Sequence, residues 1–329
     1  MESINVNNTQ IPEFTKRKRT PEERKSARRG YWSRHWALYV MLILPMTFFA
    51  VFSYWPMQNI LIAFTINNPL QDIWQIIGNG GWVGMDNFVR AFQTPQFLNA
   101  VRNTIMFSLL DLAVGFPAPI ILAILINELK MEKFKKFTQT VSYMPHFLSW
   151  VIVGVMALQL FSQSSGAIPA MLYRWFGVNI DFLTNHTNWI ITNVLFAVWR
   201  SIGWNTIIYL AAITSISPEL YEAADIDGAS RVRKMWHITL PGIRPVIITL
   251  FILALGGIMN ADLARFESMG NSLVRPVADV IPMFIFRWAL QGNQHAMGTA
   301  IGIIQSLFGL FLILGGNFLI KKLGGNGIW

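Results

Sequence analysis

From Trp36 to Ile66 the chain carries no charged side chain, and that run already restricts what it can fold into. A segment surrounded by lipid must pair its own backbone N–H and C=O groups, so it is either a helix or part of a closed barrel. Further apolar runs follow near Phe97–Ile126, Thr140–Phe161, Trp189–Ile213, Arg244–Asn260 and Ala296–Ile320. They are far longer than the ~10-residue alternating strands of a barrel. The reading is an all-α polytopic membrane protein with six transmembrane helices. Only 13% of the 329 residues are charged, against about 25% in soluble chains. As one helix the first run would reach about 46 Å, more than a ~30 Å hydrocarbon core, so part of it must tilt or project. Pro117 and Pro119 are expected to bend the second span. Gly298, Gly302 and Ser306 recur every fourth residue, which predicts a thin face on the sixth span that packs on another helix.

Direction follows from the basic residues. Segments 1–34, 127–138, 214–244 and 321–329 hold nineteen Lys or Arg, whereas 66–97, 163–188 and 262–295 hold five. The positive-inside rule then puts both termini in the cytoplasm. Three parts result: a basic tail over 1–34, a membrane domain over 35–320 and a short tail over 321–329. The first tail includes Lys16-Arg17-Lys18-Arg19, and its reading is an N-terminal anchor touching anionic lipid rather than a nucleic-acid arm. The apolar run behind it is too long for a signal-peptide core and is expected to be retained. The outer segment 66–97 is rich in turn residues (Asn67-Asn68-Pro69, Gly78-Asn79-Gly80-Gly81) and is expected to be ordered only by packing against a partner.

No cysteine is present, which excludes disulfides and thiolate metal sites. There is no G-x-x-x-x-G-K-[ST], H-E-x-x-H or G-x-S-x-G pattern, and His146 and His237 lack metal-ligand neighbours. The chain is therefore read as a non-enzyme with no metal site and no catalytic residues.

Residues 214–243 form a polar segment between two spans. Ser217-Pro218-Glu219 reads as a helix start, with Ser217 as cap, Pro218 in the first turn and Glu219 at the positive end of the dipole. Gly228 reads as the stop. The expected helix has about ten residues, roughly 15 Å, and Ala223 and Ala224 keep its middle thin. Ser230 is expected to cap a second short helix, with Arg231, Arg233 and Lys234 facing the cytoplasm or lipid phosphates. An ordinary amphipathic connector is the plain alternative.

The run Glu222-Ala223-Ala224-Asp225-Ile226-Asp227-Gly228, followed after nine residues by Ile238-Thr239-Leu240-Pro241, resembles the EAA loop of bacterial ABC importers. The resemblance implies a coupling helix that docks into a separate ATPase through Glu222, Ala223, Ala224, Asp225, Gly228, Ile238, Leu240 and Pro241. Gly115-Phe116-Pro117-Ala118-Pro119-Ile120 with Asn127-Glu128, Gly203-Trp204 with Ile208-Tyr209-Leu210-Ala211-Ala212, Gly256-Gly257-Ile258-Met259-Asn260 and Val277-Ala278-Asp279-Val280-Ile281 extend it. With the terminal Gly327-Ile328-Trp329 they are similar to oligosaccharide permeases of the maltose-transporter superfamily, in the branch importing rhamnogalacturonan- or alginate-type fragments. That resemblance implies the type I ABC importer permease fold in a bacterial cytoplasmic membrane. It also implies a heteromeric complex with a second homologous permease chain, two ATPase subunits, an extracytoplasmic solute-binding protein and an oligosaccharide substrate. No cofactor would be bound by this chain, since ATP and Mg would sit on the partner ATPase, and no nucleic acid is involved. The tail 324–329 would either enter between the ATPases or end at the membrane interface through Trp329.

Asp111 and Arg200 fall near mid-membrane, where an unpaired charge costs at least ~2.5–3.5 kcal/mol, so they are expected to pair or to line a wet cavity. Candidates for a sugar path are Trp199, Trp204, Asn205 and Tyr209 on the fourth span, Asn260 after the fifth and Gln305 on the sixth. Against each stands an ordinary role, as an interface aromatic or a polar bridge between helices. Two functional alternatives remain: an ABC permease for a different solute, such as peptides or polyamines, and an ATPase-independent secondary carrier using Asp111 and Arg200.

Overall fold

The computed structural model describes residues 21–329 except 69, 323, 325, 326, 328 and 329, with side chains from His35 onward. The basic run 16–19 and Trp329, with the roles expected of them, lie outside the described residues. The chain divides into two units, residues 1–59 and 60–329. The first is a helix, Pro21–Phe49, that passes through Pro45 and opens into a wide π turn at Ala50–Tyr54.

Among the described residues five helical runs are long and apolar enough to cross a membrane: His35–Phe64, Pro95–Asn127, His186–Thr214, Arg231–Gly256 and His295–Lys322. A bent pair, Glu132–Phe147 with Trp150–Phe161, makes a sixth if it counts as one span. The regular elements among the described residues are otherwise short helices, with one isolated antiparallel bridge between Thr65 and Trp82.

Prolines explain three irregularities. Proline has no N–H and its ring collides with the carbonyl four residues back. Before Pro56, Pro117 and Pro241 the helix widens by one residue, so the residue ahead of the proline bonds five back: Trp55 to Ala50, Phe116 to Asp111 and Leu240 to Met235. The π turn at Asp111–Gly115 is thus the local consequence of Pro117, and Asp111 opens it.

The third span departs from the expected single helix over Thr140–Phe161. Its limbs meet at 100°, because Met144–Phe147 tightens into a 3-10 turn around Pro145 and Leu148 and Ser149 are extended. Ser149 then caps the second limb by accepting from the Ile152 amide.

Segments expected to be outer loops are structured. Residues 66–97 contain helices Ile73–Gly78 and Asp86–Gln93, and buried Asn87 donates to the Ala63 and Thr65 carbonyls at 2.9 and 2.8 Å. The expectation that this loop orders only against a partner therefore fails. Residues 262–295 return into the bundle. Phe266, Met269, Val274, Val280 and Met283 join Phe107, Trp150, Val153 and Trp189 in the main core cluster. Gly270, Pro276 and Pro282 chop this segment into helices such as Leu263–Met269 and Ile281–Ile285, too short to read as spans.

The second and fourth spans share a core of Ala123, Ile126, Tyr209, Leu210 and Ile213, joined by Ile243 of the fifth. The sixth span uses a different small-residue set from the one expected. Gly298 meets Ala289 and Gly309 meets the Gly256 carbonyl, but Gly302 faces open space and Ser306 is exposed. A Cβ on Gly309 would lie 2.7 Å from that carbonyl oxygen. Gly309→Leu should therefore lower stability by about 2 kcal/mol through overpacking, while Gly302→Ala leaves it unchanged. Thermal unfolding of the detergent-purified chain checks this, and equal midpoints for the two variants would contradict the seam.

Candidate coupling helix and central cavity

The segment between the fourth and fifth spans is a helix, Pro218–Ile226, that buries none of its residues. Pro218 stands in its first turn, though the Ser217 side chain makes no capping hydrogen bond, contrary to expectation. The end is as the sequence dictates. Gly228 has φ +70°, and its amide bonds to the Asp225 carbonyl at 3.1 Å while the Ala229 amide reaches the Ala224 carbonyl at 2.9 Å. This is a Schellman ending, in which a left-handed glycine lets the last carbonyls find donors. Ser230 then caps the next helix by accepting from the Arg233 amide.

Two side-chain contacts fasten this short helix to the root of the fifth span. Lys234 Nζ lies 2.6 Å from Asp225 Oδ1, and Tyr221 Oη lies 2.9 Å from Thr239 Oγ1. Lys234 is therefore paired, rather than pointing outward as expected. Leu220, Ala223 and Ile226 follow at three-residue steps on one face, and Ile226 is 88% exposed. Of the remaining motif residues, Glu222 is exposed, while Ile238, Leu240 and Pro241 belong to the continuous run Arg231–Gly256.

The second candidate region is a cavity of about 400 Å³ walled by the second span, the fourth span, Trp150 and residues 254–265. Its charged lining residues are Asp111, Arg200, Asp262 and Arg265. Asp111 and Arg200 each sit halfway along their helices, but the expected pair between them is replaced. Asp111 is bound in a fork by Arg265, Nη1 to Oδ2 at 2.6 Å and Nη2 to Oδ1 at 3.2 Å. Arg265 Nε donates to Asn193 Oδ1 at 2.7 Å, and its guanidinium lies over the rings of Phe107 and Phe266. Arg200 instead donates from Nε to the Leu148 carbonyl at 2.9 Å and lies over Trp150, 4.9 Å from the ring centroid. It satisfies a carbonyl freed by the break in the third span. Asp262 accepts from the Ala264 and Arg265 amides and from the Trp150 indole.

The candidate sugar-path residues separate. Asn205 and Asn260 line this cavity with Asp111 and Arg200. Gln305 Nε2 bridges the Met259 carbonyl and Asn260 Oδ1. Trp204 has one ring face covered by His146, stacked at 4.5 Å, and Trp199 packs edge-on against Phe196. Tyr209 is 2% exposed within the core between the second and fourth spans, so it faces no path in this structure. Arg265 and Asp262 were missed as site residues. They lie in a segment whose short helices carry no hydropathy signal, and Arg265 reaches its carboxylate across 154 positions of sequence. Phe266, next to Arg265, lines a separate cavity of about 820 Å³ together with Arg275, Arg287 and Trp288. The helix Leu263–Met269 thus stands between two chambers.

Residues 96–324 match a protein family described as binding-protein-dependent transport system inner membrane component. The chain is 40% identical over 292 residues to the polygalacturonan/rhamnogalacturonan transport system permease protein YteP of Bacillus subtilis (strain 168), covering 89% of this chain and 90% of that protein. It is 28% identical to the arabinooligosaccharides transport system permease protein AraP of Halalkalibacterium halodurans, over 84% of each chain. Among solved structures, a chain of a bacterial ABC transporter importing the acidic polysaccharide alginate superposes with a TM-score of 0.81 at 35% identity, covering 89% of this chain and 98% of that one. A chain of the alginate transporter in complex with an alginate pentasaccharide-bound periplasmic protein gives 0.82 at 34% identity, covering 91% and 99%.

Proposed function

Because this chain belongs to the family of binding-protein-dependent transport system inner membrane components, we propose that it forms half of the transmembrane path of an ATP-driven oligosaccharide importer. It acts mechanically and hydrolyses nothing itself. The observation that carries this reading is the unburied helix Pro218–Ile226, closed by Gly228 and presenting Leu220, Ala223 and Ile226 on one face. A helix that buries none of its residues and is clasped to the base of a span suits docking by another protein. We assign that role to an ATPase subunit, two copies of which would hold the ATP and Mg. A second, homologous permease would complete the path, and a solute-binding protein would deliver the sugar outside. The excess of basic residues in the four inner segments over the three outer ones, nineteen against five, supports a cytoplasmic position for this helix and for both termini.

The oligosaccharide assignment rests on relatives whose names specify pectic, arabinan and alginate fragments. A secondary carrier gains nothing from Asp111, whose carboxylate is already held by Arg265.

Purifying the assembled complex and reconstituting it into liposomes tests the reading. ATP-dependent uptake is expected from the wild type. Glu222→Lys and Gly228→Pro should still insert but lose the co-purifying ATPase, and uptake should fall to background. Uptake that persists without any ATPase would refute it.

A further inference from the structure

Building on the permease reading, we propose that Arg200 is the contact for a substrate carboxylate, so that this permease favours acidic, uronate-bearing oligosaccharides over neutral ones. The cavity holds two carboxylates and two guanidiniums, and three of the four are already committed. Asp111 offers both oxygens to Arg265. Arg265 is 5% exposed, and beyond that fork its Nε is taken by Asn193. Asp262 accepts from two backbone amides on one oxygen and from the Trp150 indole on the other.

Arg200 differs. Only its Nε is engaged, by the Leu148 carbonyl, and it forms no ion pair with any carboxylate of the described residues. An arginine carries five N–H donors in a planar fork, so the four on its terminal amino groups remain for another acceptor. The guanidinium lies over the Trp150 ring, and its planar fork of donors is the geometry that binds a carboxylate through two parallel hydrogen bonds. A guanidinium at mid-span faces the bundle interior or a wet cavity, or pairs with a charge or a backbone carbonyl; Arg200 holds the Leu148 carbonyl and also lines the cavity. Asn205 and Asn260 on the same walls can meet sugar hydroxyls. The cavity volume falls in the usual range for clefts that hold small ligands.

The competing role is structural, with Arg200 serving the Leu148 carbonyl or a carboxylate of the second permease. The two roles separate by substrate charge. The complex in proteoliposomes, with its binding protein loaded to matched levels, is given an oligogalacturonate, its methyl ester or a neutral arabino-oligosaccharide. In Arg200→Gln the acid-to-ester uptake ratio is expected to fall at least tenfold, and Arg200→Lys should recover part of it. Parallel loss for acid and ester, or an unchanged ratio, would overturn the assignment and leave a structural arginine. If the wild type takes only the neutral sugar, the permease reading stands and Arg200 falls. If it takes none of the three with ATP, the permease reading fails first.

Discussion

Asp111→Ala is expected to destabilise the chain by about 3 kcal/mol, the low end of the 3–5 kcal/mol range for breaking a buried ion pair. The low end applies because the Asp111 side chain is 39% exposed and water screens part of the attraction, while the Arg265 side chain is only 6% exposed. The loss comes from what is left behind. Arg265 would keep its charge between Phe107 and Phe266, with only Asn193 to answer it. Arg265→Met alone should be milder, since the stranded Asp111 faces the cavity. The double variant Asp111→Ala with Arg265→Met should be more stable than Asp111→Ala alone, because removing both charges removes the desolvation as well. Thermal midpoints of the four proteins in one detergent decide this, and strictly additive losses would mean that the pair is not coupled.

Gly203→Val is expected to be the most damaging single substitution in the bundle. A Cβ at that position would stand 1.9 Å from the Ser142 carbonyl oxygen and 2.3 Å from its carbon. The obstacle is backbone, so no rotamer change relieves it, and the fourth span must move off the Glu132–Phe147 limb. The same limb carries His146 against Trp204 and leads to the Leu148 carbonyl held by Arg200. Separation there should exceed the ordinary 1–3 kcal/mol of overpacking and remove the chain from the membrane fraction. Gly203→Ala should fail less completely. A Gly203→Val protein that accumulates and melts like the wild type would show that the two helices are not in contact.

The long runs were legible because hydropathy and length suffice for a span, and the fourth and sixth were bounded within a few residues. The fifth helix begins at Arg231 rather than Arg244, since three basic residues hide its first turns from a hydropathy reading. Both ends of the short exposed helix were written locally, in Pro218 and Gly228. The break after Phe147 was not legible, because a single proline, Pro145, usually predicts a kink and not a 100° corner. The partner of Asp111 was hidden for a different reason. Depth matching finds charges on long helices, and Arg265 arrives on the seven-residue helix Leu263–Met269, inside what reads as an outer loop. Tyr209 illustrates the converse: a residue type suited to sugar stacking that the fold spends on packing.

The clasp made by Lys234 with Asp225 and Tyr221 with Thr239 has a geometric consequence. The exposed helix has nine residues and the shaft it is fastened to has twenty-six, about 13 Å against about 39 Å at 1.5 Å per residue. If the two turn as one rigid crank about their shared corner, the far tip of the shaft sweeps roughly three times the distance imposed on the short arm. A tug of an ångström or two on the small end would then become a displacement large enough to swing a side chain across a sugar ring.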